Sequence, residues 1–134
     1  MTAKEYMKQA KILLRRIDRK QKEADALRQK LSLPKSPAYS DMPKTVSPAQ
    51  NEIEIGVAKI ISLEEEILVF RTELDSMVAE VNNNISKLDN SDMRDLLTKR
   101  YVEFKDWIII AEEMGYSEPS CYRLHREALS LMKS

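Results

Sequence analysis

The prolines of this 134-residue chain are concentrated in one segment, and their position constrains the fold more than any other feature. Pro34, Pro37, Pro43 and Pro48 all lie within residues 32–50. Each proline lacks an amide hydrogen and disfavours helical geometry at the preceding residue, so we predict an extended linker there. The flanking stretches contain no proline and almost no glycine, which favours a long helix on each side of the linker.

Apolar residues recur at three- and four-residue steps on both sides of this linker, as in amphipathic helices. The first predicted helix spans residues 1–31 and the second spans residues 51–82. The second helix fits a heptad repeat whose stripe includes Ile53, Ile60, Ile67, Phe70, Leu74 and Met77. This stripe can pair with the first helix in an antiparallel hairpin, or it can join two chains in a homodimer.

The net charge of the chain is zero, but the charges are unevenly distributed. Residues 1–31 contain ten Lys and Arg against four Asp and Glu, whereas residues 51–90 contain three against nine. A basic first helix can lie against the acidic second helix, or it can follow the backbone of a nucleic acid. The first of these arrangements is the simpler one.

The residue types that build catalytic and metal sites are scarce. The chain contains one Cys and one His, which excludes an internal disulfide and leaves a zinc site short of ligands. No Gly-rich phosphate loop and no Ser/His/Asp set is present, so we expect no enzymatic activity, no cofactor and no metal. No apolar run approaches the roughly 18 residues of a membrane span, which favours a soluble cytoplasmic protein without membrane contact.

The C-terminal residues 91–134 carry the most specific pattern. Three short helices are predicted there, at residues 93–102, 107–114 and 117–132. In a helix-turn-helix, two helices cross closely around a turn residue with positive φ, and this geometry requires particular residue types at fixed places. All of these places are suitably filled, by Ile110, Ala111, Met114, Gly115, Tyr116, Cys121 and Leu124. We expect the last three to face the first helix of the motif.

The stretch LLTKRYVEFKDWIIIAEEMGYSEPSCYRLHREAL, residues 96–129, resembles region 4 of bacterial sigma factors. It is also similar to the ends of small phage-encoded ArpU-type transcriptional regulators, which carry a related RY…W..IA…GYS…YRLH..AL pattern. The resemblance covers the last third of the chain in detail. It implies a phage or prophage regulator that binds specific double-stranded DNA in a bacterial host cell, with helix 117–132 as the reading helix.

The resemblance also implies which side chains face DNA. They are Ser117, Ser120, Tyr122, Arg123, Arg126, Lys99, Arg100 and Lys105. Arg123 stands at a base-reading position, and an Arg side chain can bind guanine O6 and N7 together. The free amides of the first turn of the reading helix suit a phosphate. The flanking cations would contact the DNA backbone.

Two features depart from the pattern of a DNA-binding module. Glu118 and Pro119 stand where sigma region 4 usually has basic or polar residues, and Glu118 would repel phosphate. Residues 91–134 also carry slightly more acidic than basic residues, although phosphate neutralisation dominates DNA affinity. A second interpretation is therefore a helical adaptor that docks on RNA polymerase or another transcription protein. We further predict that His125 is a surface or phosphate-facing residue and that Trp107 packs in the core.

The predicted fold is all-α. A long two-helix hairpin with coiled-coil-like spacing, which can serve as a dimerisation region, occupies residues 1–90 and includes the linker at 32–50. A three-helix helix-turn-helix unit, the predicted DNA-binding domain, occupies residues 91–134.

Overall fold

The computed structural model of the protein describes residues 1–32 and 48–132, which form five α-helices and no strand. Helix α1 spans Ala3–Lys30 and helix α2 spans Pro48–Ile85. The shorter helices α3, α4 and α5 span Ser91–Tyr101, Trp107–Met114 and Glu118–Met132. The all-α fold with two long N-terminal helices is thus confirmed.

Helix α2 is longer at both ends than the sequence predicts. It begins at Pro48 and not after Gln50, because a proline in the first helical turn loses an amide that has no helical partner anyway. At the other end it continues through three asparagines to Ile85, whose side chain is buried. Residues 33–47, most of the predicted linker, lie outside the described residues.

The chain forms two compact units. Unit 1 contains residues 1–10 and 74–134, and unit 2 contains residues 11–73. The end of α2 belongs to unit 1, where Ile85 and Leu88 are buried. The boundary predicted at residue 90 therefore lies inside unit 1, and the roles assigned to residues 1–90 and 91–134 stay predictions.

Within unit 2, α1 and α2 pair antiparallel, with an apolar seam flanked by charges. The buried seam residues are Leu13, Ile17, Ala24, Ile60, Leu63 and Ile67. At its edges Lys20 Nζ lies 2.5 Å from Glu66 Oε2, and Arg28 pairs with Glu64. The basic first helix thus lies against the acidic second helix, which is the simpler of the two predicted arrangements.

This seam uses the stripe that the sequence offers for a homodimer. Ile60 and Ile67 are buried within unit 2, and Ile53 and Phe70 are half-buried there. The Arg16 guanidinium also lies 5.7 Å from the centre of the Phe70 ring. The stripe is thus covered within one chain, which corrects the predicted dimer interface. The last two predicted contacts, Leu74 and Met77, are buried and half-buried in unit 1.

Unit 1 is built around a core of completely buried side chains from α3, α4 and α5, namely Leu96, Leu97, Ile110 and Cys121. The Asn90 side chain accepts hydrogen bonds from the amides of Asp92 and Met93 and so caps α3. The first residues of α1 also join this unit. The Tyr6 hydroxyl donates to the Tyr101 carbonyl at 2.6 Å, and burial raises the pKa of Tyr6 to about 12.

Candidate nucleic-acid interface

The turn between α4 and α5 has the geometry that the sequence predicts. Gly115 has φ 72° and ψ 26°, a left-handed conformation that a β-carbon disfavours. The Tyr116 amide donates to the Ala111 carbonyl at 3.0 Å, which closes the end of α4. Ser117 Oγ then accepts from the Ser120 amide at 3.3 Å and caps α5. The predicted turn with a left-handed glycine is therefore confirmed.

The crossing of α4 and α5 depends on small residues at the contact. Ile110 and Cys121 are fully buried, and Ala111 beside them is nearly so. Burial raises the pKa of the Cys121 thiol, which opposes formation of a reactive thiolate. Cys121 thus serves as a small core residue, as predicted, and it lets the two helices approach each other closely.

Tyr116 and Leu124 depart from the predicted packing. Tyr116 is 37% exposed, so its predicted burial against α4 is wrong. Its hydroxyl instead donates to Asp92 Oδ2 on α3 at 2.6 Å, and this hydrogen bond raises the pKa of Tyr116. The hydroxyl thus finds its hydrogen-bond partner at the surface. Leu124 is only half-buried.

Three of the predicted DNA-facing side chains lie together on the exposed side of α5. Tyr122, Arg123 and Arg126 are all exposed, and their spacing places them on neighbouring positions of the helix surface. Among the residues that the structure describes, no carboxylate forms an ion pair with either arginine. Their guanidinium groups are therefore available to an anionic partner.

Tyr122 belongs to an aromatic cluster that also contains Trp107 and His125. The Trp107 ring lies 5.1 Å from the Tyr122 ring and 4.8 Å from the His125 ring, measured between centroids. The Arg100 guanidinium lies 4.9 Å from the Trp107 centroid, and its Nη1 donates to the Lys105 carbonyl at 3.0 Å. Trp107 is only half-buried, so it is not the core residue that the sequence predicts, but its ring packs against Tyr122.

His125 is not the surface residue that the sequence predicts. Its Nε2 lies 2.6 Å from the Tyr101 hydroxyl, and its ring stacks on that of Tyr101 at 5.7 Å. Burial lowers the pKa of His125, and the nearby charges of Arg100 and Arg126 lower it further. The imidazole therefore favours its neutral form, and it supplies no cation to a phosphate.

The flanking lysines share a carboxylate that sequence reasoning missed. Lys105 Nζ lies 2.6 and 2.8 Å from the two Glu113 oxygens, and Lys99 Nζ lies 3.3 Å from the same side chain. Lys105 also pairs with Glu103 at 3.2 Å. The hydrogen bond from Lys105 lowers the pKa of Glu113, which therefore stays ionised. The spacing of these residues along the chain gives no signal for this contact.

The structure therefore divides the predicted DNA-facing residues into two groups. Tyr122, Arg123 and Arg126 form one exposed surface, which we call the α5 face. Lys99, Arg100 and Lys105 also lie near one another, but their charged groups are already bound to protein oxygens or stacked on Trp107. Ser117 and Ser120 lie in the turn and first helical turn, with their hydroxyl oxygens 2.8 Å apart.

Neither a metal centre nor a membrane span is found in the described parts of the chain. No group of three or more His, Cys, Asp or Glu side chains in residues 1–32 and 48–132 could hold a metal ion. Within the same residues, every helix is too short or too polar to cross a bilayer.

The chain matches a known family model. The model of the family DUF1492, described as a protein of unknown function, matches residues 49–133. This range starts at the beginning of α2 and includes all of α3, α4 and α5. No curated protein and no solved structure matches the chain. The similarity to sigma region 4 and to ArpU-type regulators stays a prediction. Because the match covers well over half of its residues, the chain belongs to the DUF1492 family.

Proposed function

We propose that the protein is a sequence-specific DNA-binding transcriptional regulator of a phage or prophage, which acts in the bacterial cytoplasm and reads DNA with α5. The observation that carries this proposal is the α5 face. It presents Tyr122, Arg123 and Arg126 on the second helix of a helix-turn-helix whose turn is closed by Gly115. In such a motif the second helix enters the major groove of the DNA.

The two arginines suit this task because they are exposed and lack an acidic partner among the described residues. Arg123 can bind the O6 and N7 atoms of guanine, and Arg126 lies one turn further along the helix. The Tyr122 ring is held by Trp107, so its orientation is already restricted before any ligand binds. Pre-ordering of this kind lowers the entropic cost of binding.

The proposed affinity is modest because few phosphate-binding cations are free. The amino groups of Lys99 and Lys105 are paired with Glu113, and Arg100 is stacked on Trp107. Glu118 at the start of α5 would repel a phosphate. Discrimination between sequences therefore depends mainly on the α5 face.

The test is a binding titration with duplexes enriched from the source genome, compared with scrambled duplexes of equal length. For the preferred duplex we expect Arg123→Ala to lower the affinity by about tenfold to a hundredfold, because a base contact is lost. The loss for the scrambled duplex should be much smaller. Arg71→Ala is the matched control, since it removes another exposed arginine, which lies in unit 2. Equal effects of both variants on both duplexes would reject the proposal.

A second candidate function is a protein-binding adaptor for RNA polymerase or another transcription protein. It is favoured by the exposed Ile108 and Ile109 in the first turn of α4, since such side chains often mark protein contacts. This function predicts that Ile108→Glu abolishes co-purification with RNA polymerase and that Arg123→Ala does not. This contact would be excluded if both variants still co-purified with RNA polymerase. It would also be excluded if the wild-type protein did not co-purify with the polymerase.

A further inference from the structure

Helix α1 carries its cations on two different sides. Lys20 and Arg28 lie at the edges of the seam, where they pair with Glu66 and Glu64 of α2. Four further cations are exposed on the side of α1 that faces solvent. We call them the basic strip, and they are Lys11, Arg15, Arg19 and Lys22. All four belong to unit 2, so the strip lies within one compact unit.

The basic strip lies opposite the seam with α2. Successive residues of an α-helix are rotated by about 100°, so every member of the strip falls within about 40° of Arg15 around the helix axis. The buried seam residues Leu13, Ile17 and Ala24 fall about 160° to 180° from Arg15. The carboxylates of α2 that pair with the cations at the seam edges are therefore on the other side of α1.

Most of the positive charge on the basic strip is unpaired. Among the residues that the structure describes, no carboxylate forms an ion pair with the first three members of the strip. Lys22 pairs with Asp18 at 3.0 Å, but both side chains are largely exposed, and a pair of this kind is weak. The other two carboxylates of α1 in unit 2, Glu23 and Asp25, pair with cations outside the strip. Four cations and one carboxylate thus give this side of α1 a net charge of +3.

We propose that the basic strip binds the phosphate backbone of double-stranded DNA, whatever the base sequence. The strip is about 16 Å long from Lys11 to Lys22, and a duplex carries about nine phosphate charges over that distance. Two of the four cations are arginines, and a guanidinium can donate two parallel hydrogen bonds to one phosphate. The strip adds phosphate contacts to the few that unit 1 offers. The choice of DNA as the polyanion rests on the proposed function, although the strip shares no residue with the α5 face.

The residue types of this surface favour a nucleic acid over a membrane or a protein. A helix that lies on a membrane inserts an apolar side, but the apolar side of α1 is buried against α2. A protein interface normally has a core of aromatic or aliphatic side chains. The strip contains no such residue, and Ile12 is the one large apolar side chain exposed on this part of α1. A phosphate backbone requires only spaced cations, which the strip provides.

Titration of a scrambled duplex at several salt concentrations tests the strip. We expect the double variant Arg15→Gln, Arg19→Gln to bind at least about tenfold more weakly than the wild type at low salt, because two phosphate contacts are lost. The dependence of log affinity on log salt should become shallower by about 2. Glutamine is a good helix former, so circular dichroism should show unchanged helix content. An unchanged affinity and salt slope in the variant would overturn the proposal, and so would a wild type that does not bind the duplex.

The matched control removes the same charge from exposed positions outside the strip. The double variant Arg71→Gln, Lys87→Gln has the same net charge as the strip variant, and we expect it to bind almost as the wild type does. Equal losses in the two double variants would mean that binding follows net charge and not the strip, which would overturn the proposal. Arg15→Lys, Arg19→Lys keeps the charge and should keep the wild-type salt slope. A slope as shallow as that of the glutamine variant would contradict a role for charge.

Two further measurements separate the strip from the α5 face and from a lipid surface. The strip variant should weaken binding of the preferred and the scrambled duplex by the same factor, whereas Arg123→Ala should affect mainly the preferred one. If Arg123→Ala left that preference unchanged while the strip variant still lost affinity for both duplexes, base reading by α5 would be rejected and the strip supported. Vesicles that contain phosphatidylserine are the second probe. Strip-dependent binding to these vesicles without binding to the duplex would overturn the choice of DNA.

Discussion

Unit 1 and unit 2 bury their apolar side chains in different ways. In unit 1 three short helices surround a small core, and Leu96, Leu97 and Ile110 are completely inaccessible to solvent. In unit 2 two long helices share a single seam, and the buried side chains Ile60, Leu63 and Ile67 keep a few per cent of exposure. Three helices can enclose a side chain on all sides, whereas two helices leave the edges of their contact open.

The two units also use charge differently. In unit 2 the ion pairs Lys20–Glu66 and Arg28–Glu64 join opposite helices along the edges of the seam, where they fix the register of the pair. In unit 1 Glu113 draws Lys99 and Lys105 together at the candidate interface. The same kind of contact thus supports the fold in one unit and limits the free positive charge in the other.

The largest expected effect concerns the core of unit 1. Ile110→Ala should cost about 4 kcal/mol of unfolding free energy and Ile67→Ala, at the more open seam, about 2 kcal/mol. Chemical denaturation measured by circular dichroism gives both values, and the fluorescence of Trp107 reports on unit 1. Ile108→Ala, at an exposed position, should change stability by less than about 0.5 kcal/mol. A larger loss of unfolding free energy for Ile67→Ala than for Ile110→Ala would contradict the tighter burial in unit 1.

The two glycines provide a second contrast. Gly115→Ala should cost about 1–2 kcal/mol because its positive φ strains any residue with a β-carbon, although no neighbour lies within 4 Å of that position. Gly56→Ala in unit 2 meets only the end of the Leu31 side chain, which can move.

Alanine has a higher helix propensity than glycine, and this gain offsets the cost of the contact at Gly56. We therefore expect Gly56→Ala to change the free energy of unfolding by less than about 1 kcal/mol. Thermal unfolding of both variants measures this difference. A smaller loss for Gly115→Ala than for Gly56→Ala would show that the left-handed turn is not needed.

A smaller effect is expected at Glu113. Glu113→Gln should free the amino groups of Lys99 and Lys105, and so increase DNA affinity severalfold, with a salt slope steeper by up to about 2. Glu66→Gln in unit 2 is the matched control, because Glu66 also pairs with a lysine. Binding titrations at several salt concentrations measure both variants. Unchanged affinity and slope in the Glu113 variant would mean that these lysines do not reach the phosphates.

The smallest effect concerns pH. Burial holds the pKa of His125 below its ordinary value of 6.5, so the unfolded chain binds a proton more readily than the folded one. This contribution to stability is complete above the unfolded pKa and is lost as the pH falls from about 6.5 towards the folded pKa.

Unit 2 has no histidine, so Trp107 fluorescence during urea unfolding should report this loss in unit 1. The difference in midpoint between wild type and His125→Gln should shrink as the pH is lowered through this window. A difference in midpoint that does not vary with pH would mean that unfolding does not change the pKa of His125.

Sequence periodicity and turn chemistry were enough to locate the helices. The bounds of α4 and the left-handed conformation of Gly115 depend on local residues, and both predictions were confirmed. The end of the predicted linker was wrong by a few residues, because Pro48 is compatible with a first helical turn.

The contacts that decide the candidate interface are not local. His125 was predicted at the surface because helical spacing cannot show that Tyr101 and Trp107, both earlier in the chain, would cover it. The pairing of Lys105 with Glu113 likewise depends on the fold around α4. The choice between an internal seam and a dimer for the α2 stripe also required the position of α1, since one stripe can serve either partner.

Selection of bound fragments from the source genome tests most directly whether α5 reads DNA. The selection itself identifies the operator sequence, so that sequence need not be known beforehand. Wild-type protein and Arg123→Ala are each incubated with sheared genomic DNA at physiological salt, and the retained fragments are sequenced. If α5 reads DNA, the wild type enriches a common sequence motif and the variant loses that enrichment while it retains weak non-specific binding. Equal enrichment by both proteins, or no enrichment by either, would contradict the claim that the α5 face reads DNA.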